Sequence, residues 1–265
     1  MKVIKRILFD YIYPEKQKCF VCGKNLLLAE VDGLCSDCLN KLEYTSNICQ
    51  YCGREIDITD KEKVLKNRLK ENDLLKCKFC GEDKTDDFYF KKSRSVFVYE
   101  NLGRELIFHY KYFNKKELSL PLGELLYLYY KEYYSKLRID FIIPIPLYKK
   151  RREERGYNQA KLLANILAKK SNIILKNNAL IRDKKTPPLY DLNREKRKTL
   201  IKGVFSLKEK SIPNLINKNI LLVDDIFTTG TTTNEAAFTL KKSAKVKNVY
   251  ALTLATARVK AANID

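Results

Sequence analysis

Two sets of residues in this chain have types and spacings that could do chemistry. The first is eight cysteines, all within the first 80 residues, arranged as four Cys-x-x-Cys pairs: Cys19/Cys22, Cys35/Cys38, Cys49/Cys52 and Cys77/Cys80. A Cys-x-x-Cys turn aims two thiolates at one tetrahedral ion, so two pairs complete a structural zinc site without histidine. Gly23, Gly53 and Gly81 each follow a second cysteine directly, where a tight knuckle favours a residue tolerant of positive φ. Two zinc sites are expected. Their pairing is either sequential, with Cys19, Cys22, Cys35 and Cys38 on one ion and Cys49, Cys52, Cys77 and Cys80 on the other, or interleaved, first pair with third and second with fourth. Four thiolates leave no position open for water, so the metal would staple the fold rather than catalyse. A disulfide framework is the competing reading, disfavoured because no export signal is evident and the cytosol keeps thiols reduced.

The second set is ILLVDDIFTTGTT, residues 220–232. The apolar run Ile220 to Val223 has no alternation, as expected of a strand buried on both faces. Asp224 and Asp225 then lie where that strand is expected to leave the sheet. Thr228, Thr229, Gly230, Thr231 and Thr232 turn the chain into a helix. A loop of small hydroxyl residues at a helix N-terminus is a phosphate cradle, because backbone N–H groups and the helix dipole both favour an anion. The carboxylates repel that phosphate, but they can accept hydrogen bonds from vicinal hydroxyls of an attached sugar, or hold magnesium. A ribose 5-phosphate satisfies both halves. The bland alternative is a helix capped by Thr231 or Thr232 after an acidic turn. Neither G-x-x-x-x-G-K-[ST] nor G-x-G-x-x-G occurs, so nucleoside triphosphate and dinucleotide loops are not indicated.

These residues need elements to hold them. Past about residue 86 the cysteines stop, and a domain boundary is expected at roughly 84–92: a double zinc-ribbon domain over 1–88 and an α/β domain over 89–265. Within the first, the charged stretch between Cys52 and Cys77, with Val64, Leu65, Leu69, Leu74 and Leu75 at loosely helical spacing, predicts an inserted helix. In the second, strands are predicted at SVFVYE (95–100), IDFIIPIPL, GVFSL, NILLVDD and VKNVYALTLATA. Helices are predicted over 101–113, about 118–137, YNQAKLLANILAKK and TTNEAAFTLKKS. Proline cannot donate to a ladder, so the second strand must end at Pro144 and Pro146. Strands alternating with helices indicate a mainly parallel sheet with ligands at the carboxyl ends of its strands.

The formal net charge of +20, from 52 Lys and Arg against 32 Asp and Glu, fits an anionic partner such as nucleic acid or a phosphorylated small molecule. Much of the excess is lysine, which an even surface coating would also explain. With 45% hydrophobic residues, 17 Tyr and 12 Phe, the chain has ample material for a core. The N-terminal apolar run is broken by Asp10 and does not read as a secretory signal. No window approaches a membrane span, and the protein is expected in the cytoplasm.

The thirteen residues 220–232 resemble the phosphoribosyl pyrophosphate signature of type I phosphoribosyltransferases. PIPLYKKRREERGYNQAKLLA (144–164) resembles the P-[VI]-P-L and R-x-R-G-[FY]-N-Q segments of the ComF family, to which N-terminal Cys-x-x-Cys ribbons also belong. The resemblance spans nearly the whole chain. It implies a type I phosphoribosyltransferase-like, mainly parallel sheet behind four-cysteine zinc ribbons. Asp224 and Asp225 would hold the ribose hydroxyls, the threonine loop the 5-phosphate, and Ile145, Pro146, Leu147 and Tyr148 the pyrophosphate. Arg152, Arg155, Gly156, Asn158 and Gln159 would sit beside the pyrophosphate, with Arg155 as a bidentate contact. Residues 180–205 would form a hood closed by Arg182 and Arg197. Lys111 resembles the lysine of the family's K-Y segment, whereas His109, the single histidine, is read as a packed or surface residue.

Leu189 and Leu200 stand where the family usually has Gln and Asn. Those departures remove polar groups near the acceptor and weaken transfer more than ligand binding. The resemblance further implies magnesium with phosphoribosyl pyrophosphate, and a role in natural transformation with single-stranded DNA and a DNA-uptake helicase as partners at the inner face of the membrane. Tyr157 and Tyr190, interspersed among basic stretches, would stack on bases. A magnesium-dependent phosphoribosyltransferase of nucleotide or base metabolism, without a DNA role, is the alternative.

Overall fold

The computed structural model describes residues 18–26, 33–57, 76–80, 88–113, 115–187 and 194–260. Gly81, Leu189, Tyr190 and the inserted helix expected between Cys52 and Cys77 lie outside them.

In chain order the elements are α1 (Ser36–Asn40), β1 (Glu55–Asp57), β2 (Lys92–Val98), α2 (Asn101–Tyr112), α3 (Ser119–Tyr133), β3 (Phe141–Pro144), α4 (Lys149–Arg155), α5 (Gln159–Ser171), β4 (Ile174–Leu175), β5 (Leu180–Arg182), α6 (Arg194–Ile201), β6 (Phe205–Leu207), α7 (Ile212–Leu215), β7 (Asn219–Phe227), α8 (Thr231–Ala244), β8 (Asn248–Thr256) and β9 (Arg258–Lys260). Five strands form one parallel sheet in the order β2-β8-β7-β3-β4. The mainly parallel α/β sheet and the N-terminal four-cysteine ribbons expected from the sequence are both present.

The central strand β7 is buried on both faces, with Leu221 and Val223 in one apolar core and Ile220 and Leu222 in the other. The first core collects α2, α3 and α5 through Leu106, Leu122 and Leu163, together with Cys19 and Cys38 of the first ribbon. The second collects α8 through Ala236 and Leu240, together with all four cysteines of the second ribbon. The two ribbons therefore finish opposite faces of one sheet.

Order along the sheet matters for ligand binding. From β3 the chain crosses through α5 to β4 on one side, and from β7 it crosses through α8 to β8 on the other. The gap beyond the carboxyl ends of β3 and β7 is thus the switch point at which open parallel sheets bind ligands.

Several expectations change. Strand β7 does not end at the carboxylates: it pairs with β8 through Asp224↔Thr253 and on to Phe227↔Thr256, so both aspartates project from within the sheet. The reason is that β8 runs equally far, pairing with Asp224 and again with Ile226 and Phe227. The basic stretch KKRREER is a helix, α4, closed by Gly156 in the left-handed region at φ 74°. Strand β6 joins β5 in a separate antiparallel hairpin rather than the main sheet. A short strand that the sequence did not announce, β9, pairs in parallel with β1 of the second ribbon.

Candidate functional site

Strand β7 delivers Asp224 and Asp225 to the switch point. Asp225 is 8% exposed, and its carboxylate is met by the Lys111 ammonium at 3.0 Å, reaching across from the last turn of α2. Asp224 is turned by a local bond in which the Asp225 amide donates to its Oδ1 at 2.8 Å. Burial, and secondarily the neighbouring charge of Asp225, raise the Asp224 carboxyl from 3.8 to about 7, against opposing contributions from the Asp225 amide, Lys111 and Arg182. Two adjacent carboxyls are thus held in different states: Asp225 is ion-paired, and Asp224 takes up its proton near neutrality.

Beyond Phe227 the chain turns at Gly230, which has φ 75° and leads directly into α8 with no side-chain cap. Capping by Thr231 or Thr232 is therefore not what shapes this turn. A Cβ at Gly230 would also stand 2.6 Å from the Phe227 ring, so glycine is required twice over. Thr229 and Thr231 hydroxyls bond to each other at 2.7 Å, and the Thr231 amide makes only a long 3.4 Å contact to Thr229 Oγ1. The first helical amides are the donors a helix leaves without internal partners. The loop is held from outside at two points. Arg197 of α6 donates to Thr228 Oγ1 at 2.7 Å, and Arg54 of the second ribbon donates to the Thr229 carbonyl at 2.6 Å.

On the other side of the switch point, β3 runs into Ile145–Tyr148. Ile145 is 3% exposed, with its amide donating to Val223 O and its carbonyl accepting from Asn158 Nδ2 at 3.1 Å. Its amide is thus engaged within the sheet and it shapes the turn; Pro146, Leu147 and Tyr148 are half-buried. Asn158 also caps α5 by accepting from the Lys161 amide, and Gln159, 1% exposed, binds the Tyr110 carbonyl. The polar pair of the Tyr-Asn-Gln segment therefore builds the turn. Arg155 lies 5.0 Å over the Tyr112 ring and contacts Gln159 Oε1 at 3.5 Å, while Arg152 is exposed. Its neighbour Arg151 is half-buried and near enough to Arg182 for their charges to oppose. Arg182 in turn donates to Thr186 Oγ1 at 2.6 Å and faces Asp224 electrostatically. Leu200 is 38% exposed on α6.

The structure thus brings Asp224, Asp225, the threonine loop, Arg182 and Arg197 to one place. It adds Lys111, whose sequence signal was faint, and Arg54, whose only signal was its position after a knuckle glycine. His109 lies on the surface beside Glu105 at 3.8 Å, as expected. Tyr157 corrects the stacking expectation: it is 7% exposed with its hydroxyl bound to the Tyr110 carbonyl, because the turn of α4 into α5 folds it under α2. Exposed rings instead gather on α2 and just past it, where Phe108 lies 5.1 Å from Tyr112 and 5.6 Å from Phe113.

The cysteine pairing is sequential. Cys19, Cys22, Cys35 and Cys38 converge on one point and Cys49, Cys52, Cys77 and Cys80 on another, with ligand atoms within 4.8 Å of each other in each group. Sulfur atoms of Cys52 and Cys77 are 3.6 Å apart, as are those of Cys22 and Cys35. That is close to the ~3.8 Å edge of a tetrahedron with Zn–S bonds of ~2.3 Å. Both clusters are structural zinc sites, and the second is wholly buried.

A profile of the double zinc ribbon domain matches residues 8–81. Over 242 residues the chain is 30% identical to competence protein ComFC of Bacillus subtilis, covering 86% of each. It is 30% identical over 230 residues to competence protein F of Haemophilus influenzae, covering 85% of this chain and 91% of that one. DNA utilization protein YhgH of Escherichia coli is 26% identical over 238 residues, covering 88% and 95%. Among solved structures, adenine phosphoribosyltransferase of Saccharomyces cerevisiae superposes on 54% of this chain and 72% of its own at 18% identity, with a TM-score of 0.35, too loosely for any residue to be transferred.

Proposed function

We propose, since this chain belongs to the ComF family of competence proteins, that it binds phosphoribosyl pyrophosphate or a related ribose phosphate at the threonine loop and handles incoming single-stranded DNA in natural transformation. The reading takes residues 1–88 as the zinc-ribbon part and 89–265 as the ligand-binding part, acting in the cytoplasm with a DNA-uptake helicase. No helix among the described residues is long and apolar enough to cross a membrane.

One observation carries the ligand reading: two carboxylates and a helix-opening threonine turn share the switch point of the sheet. Ribose hydroxyls donate to Asp224 and Asp225, the 5-phosphate accepts from the first amides of α8, and Arg182 and Arg197 supply charge from the hood. Pro146, Leu147, Tyr148, Arg152 and Arg155 face the pyrophosphate from the opposite wall. Asp224 and Asp225 are also the residues that would hold magnesium, which would supply positive charge to a pyrophosphate leaving group in any displacement at the anomeric carbon. Binding does not require that displacement, and the exposed Leu200 offers the hood no hydrogen-bonding group.

The DNA arm is supported by the names of the relatives and by the aromatic cluster. Phe108, Tyr112 and Phe113 are 49%, 56% and 54% exposed, and Arg155 lies over Tyr112. Bases stack on such rings while cations follow the phosphates. These rings share a helix end with Lys111, which holds Asp225.

Calorimetry with phosphoribosyl pyrophosphate and magnesium, beside binding of a labelled oligothymidylate at rising salt, tests both arms. Asp225→Asn is expected to abolish sugar-phosphate binding and to spare oligothymidylate binding, which weakens steeply with salt. Absence of phosphoribosyl pyrophosphate binding by the unaltered protein overturns the ligand reading. Absence of salt-sensitive oligonucleotide binding leaves the magnesium-dependent phosphoribosyltransferase without a DNA role.

A further inference from the structure

Among the described residues Arg54 is the largest fully buried side chain, 1% exposed, and it belongs to the second zinc ribbon rather than to the sheet whose loop it holds. A buried guanidinium needs a counter-charge and hydrogen-bond acceptors. Among the described residues no carboxylate lies within ion-pair distance of it, and its Nε has no hydrogen-bond partner. What surrounds it is the Phe79 ring, 4.9 Å away within the Cys77-x-x-Cys80 knuckle, the Phe227 ring at 5.6 Å and the Thr229 carbonyl, with Cys52 two residues before it in the chain. Four thiolates around one zinc ion carry a net charge of about −2, and Arg54 packs on the ring inside one of that cluster's two knuckles.

The consequence for the loop follows from peptide geometry. A trans peptide is planar, with its C=O and N–H pointing in opposite directions. Holding the Thr229 carbonyl toward Arg54 therefore points the Gly230 N–H away from it, and Gly230 stands in the left-handed region immediately before the first amides of α8.

We propose that Arg54 is a positioning residue: the second zinc cluster holds its guanidinium, the guanidinium sets the Thr229–Gly230 peptide, and the affinity of the threonine loop for a phosphate thereby depends on the second zinc and not on the first. This rests on the reading that the loop takes a sugar phosphate. Among the described residues of the first ribbon no side chain is seen bonded to the threonine loop, and its Lys24 pairs with Asp37 of the same ribbon on the surface.

The test uses the full zinc-loaded chain, ribose 5-phosphate as the probe, and zinc counted by release to a colorimetric chelator. Arg54→Met is expected to keep two equivalents of zinc and to bind ribose 5-phosphate about 10- to 100-fold more weakly, the equivalent of one charged hydrogen bond. Arg54→Lys, which keeps the charge, is expected to recover part of that loss. Cys22→Ser is expected to lower the zinc content without changing affinity. Arg54→Met with both zinc equivalents and unaltered affinity overturns the proposal, as does equal weakening by Cys22→Ser. If Arg54→Met does not fold, Arg54→Lys against the unaltered protein carries the same comparison. Failure of the unaltered protein to bind ribose 5-phosphate sinks the reading of the loop instead. Arg54 is then judged by hydrogen exchange alone: amides 230–233 exchanging faster in Arg54→Lys at equal zinc content support the proposal, and unchanged exchange refutes it.

Discussion

The two zinc ribbons open with the same local device, a Cys-x-x-Cys turn followed by glycine, and the protein uses them differently. Gly23 of the first ribbon has φ 73° and nothing within 4 Å of where a Cβ would stand. Gly53 of the second has φ 71°, and a Cβ there would lie 1.9 Å from the Ser93 carbonyl of β2. Cys22 is exposed, whereas Cys49, Cys52, Cys77 and Cys80 are at most 1% exposed. One ribbon covers its face of the sheet with a cysteine left exposed, and the other has its cysteines wholly buried beside the threonine loop. Identical zinc chemistry can serve as a peripheral staple or as part of a site's foundation, and only its surroundings decide which.

Breaking the second site should have the largest effect. Cys52→Ser is expected to lower the Tm by more than about 10 °C, since structural zinc binding is itself folding energy and a few kcal/mol moves a chain of this size that far. Cys22→Ser should shift the Tm by much less while removing a similar amount of zinc. Equal shifts in thermal unfolding would erase the distinction. The glycines come next. Gly53→Ala should cost about 1–2 kcal/mol for its backbone conformation and about 1–3 kcal/mol more for crowding Ser93. Gly23→Ala should cost only the first part, and urea unfolding of the pair measures the difference.

A subtler effect is pH dependence on the second ribbon's side of the sheet. The Asp224 carboxyl is raised by burial and by Asp225 to about 7, so the folded protein holds a proton that the unfolded chain releases near the ordinary carboxylate value. Stability should therefore fall as pH rises from about 4 to about 7 and level off above. Ribose 5-phosphate affinity should rise through about 7 as the carboxylate becomes an acceptor for the sugar hydroxyls. Asp224→Asn should flatten both profiles, and a slope that survives it belongs to another group. The smallest effect is expected at Lys24→Ala, where an exposed pair with Asp37 is lost from the first ribbon; such pairs add little in water, and no change in Tm should be detectable.

What could be read from the chain follows from range. Zinc ligands announced themselves because a Cys-x-x-Cys turn is set by four consecutive residues, and the carboxylate–threonine stretch because strand, turn and helix start are contiguous. The same locality placed the ends of α2, α5 and α8 within a few residues. Failures came where a neighbour distant in sequence intervened. Strand β7 runs on past its aspartates because β8 continues alongside it. Tyr157, exposed by any local reading, is covered by α2. Asn158 and Gln159 sit in a segment matched to a ligand motif, yet their partners are the carbonyls of Ile145 and Tyr110.

By itself, then, the amino-acid order determined the ligands of two metal sites, a doubly buried strand carrying paired carboxylates, and a glycine turn opening a helix, all of them products of short-range stereochemistry and hydrophobic pattern. Tertiary structure alone decided which cysteine pairs share an ion, that Lys111 faces Asp225 at 3.0 Å, and that Arg54 reaches Thr229 across 175 residues. Those contacts join segments that meet only when both faces of the sheet are covered, because a charge goes into an apolar interior only where the finished packing supplies its partner.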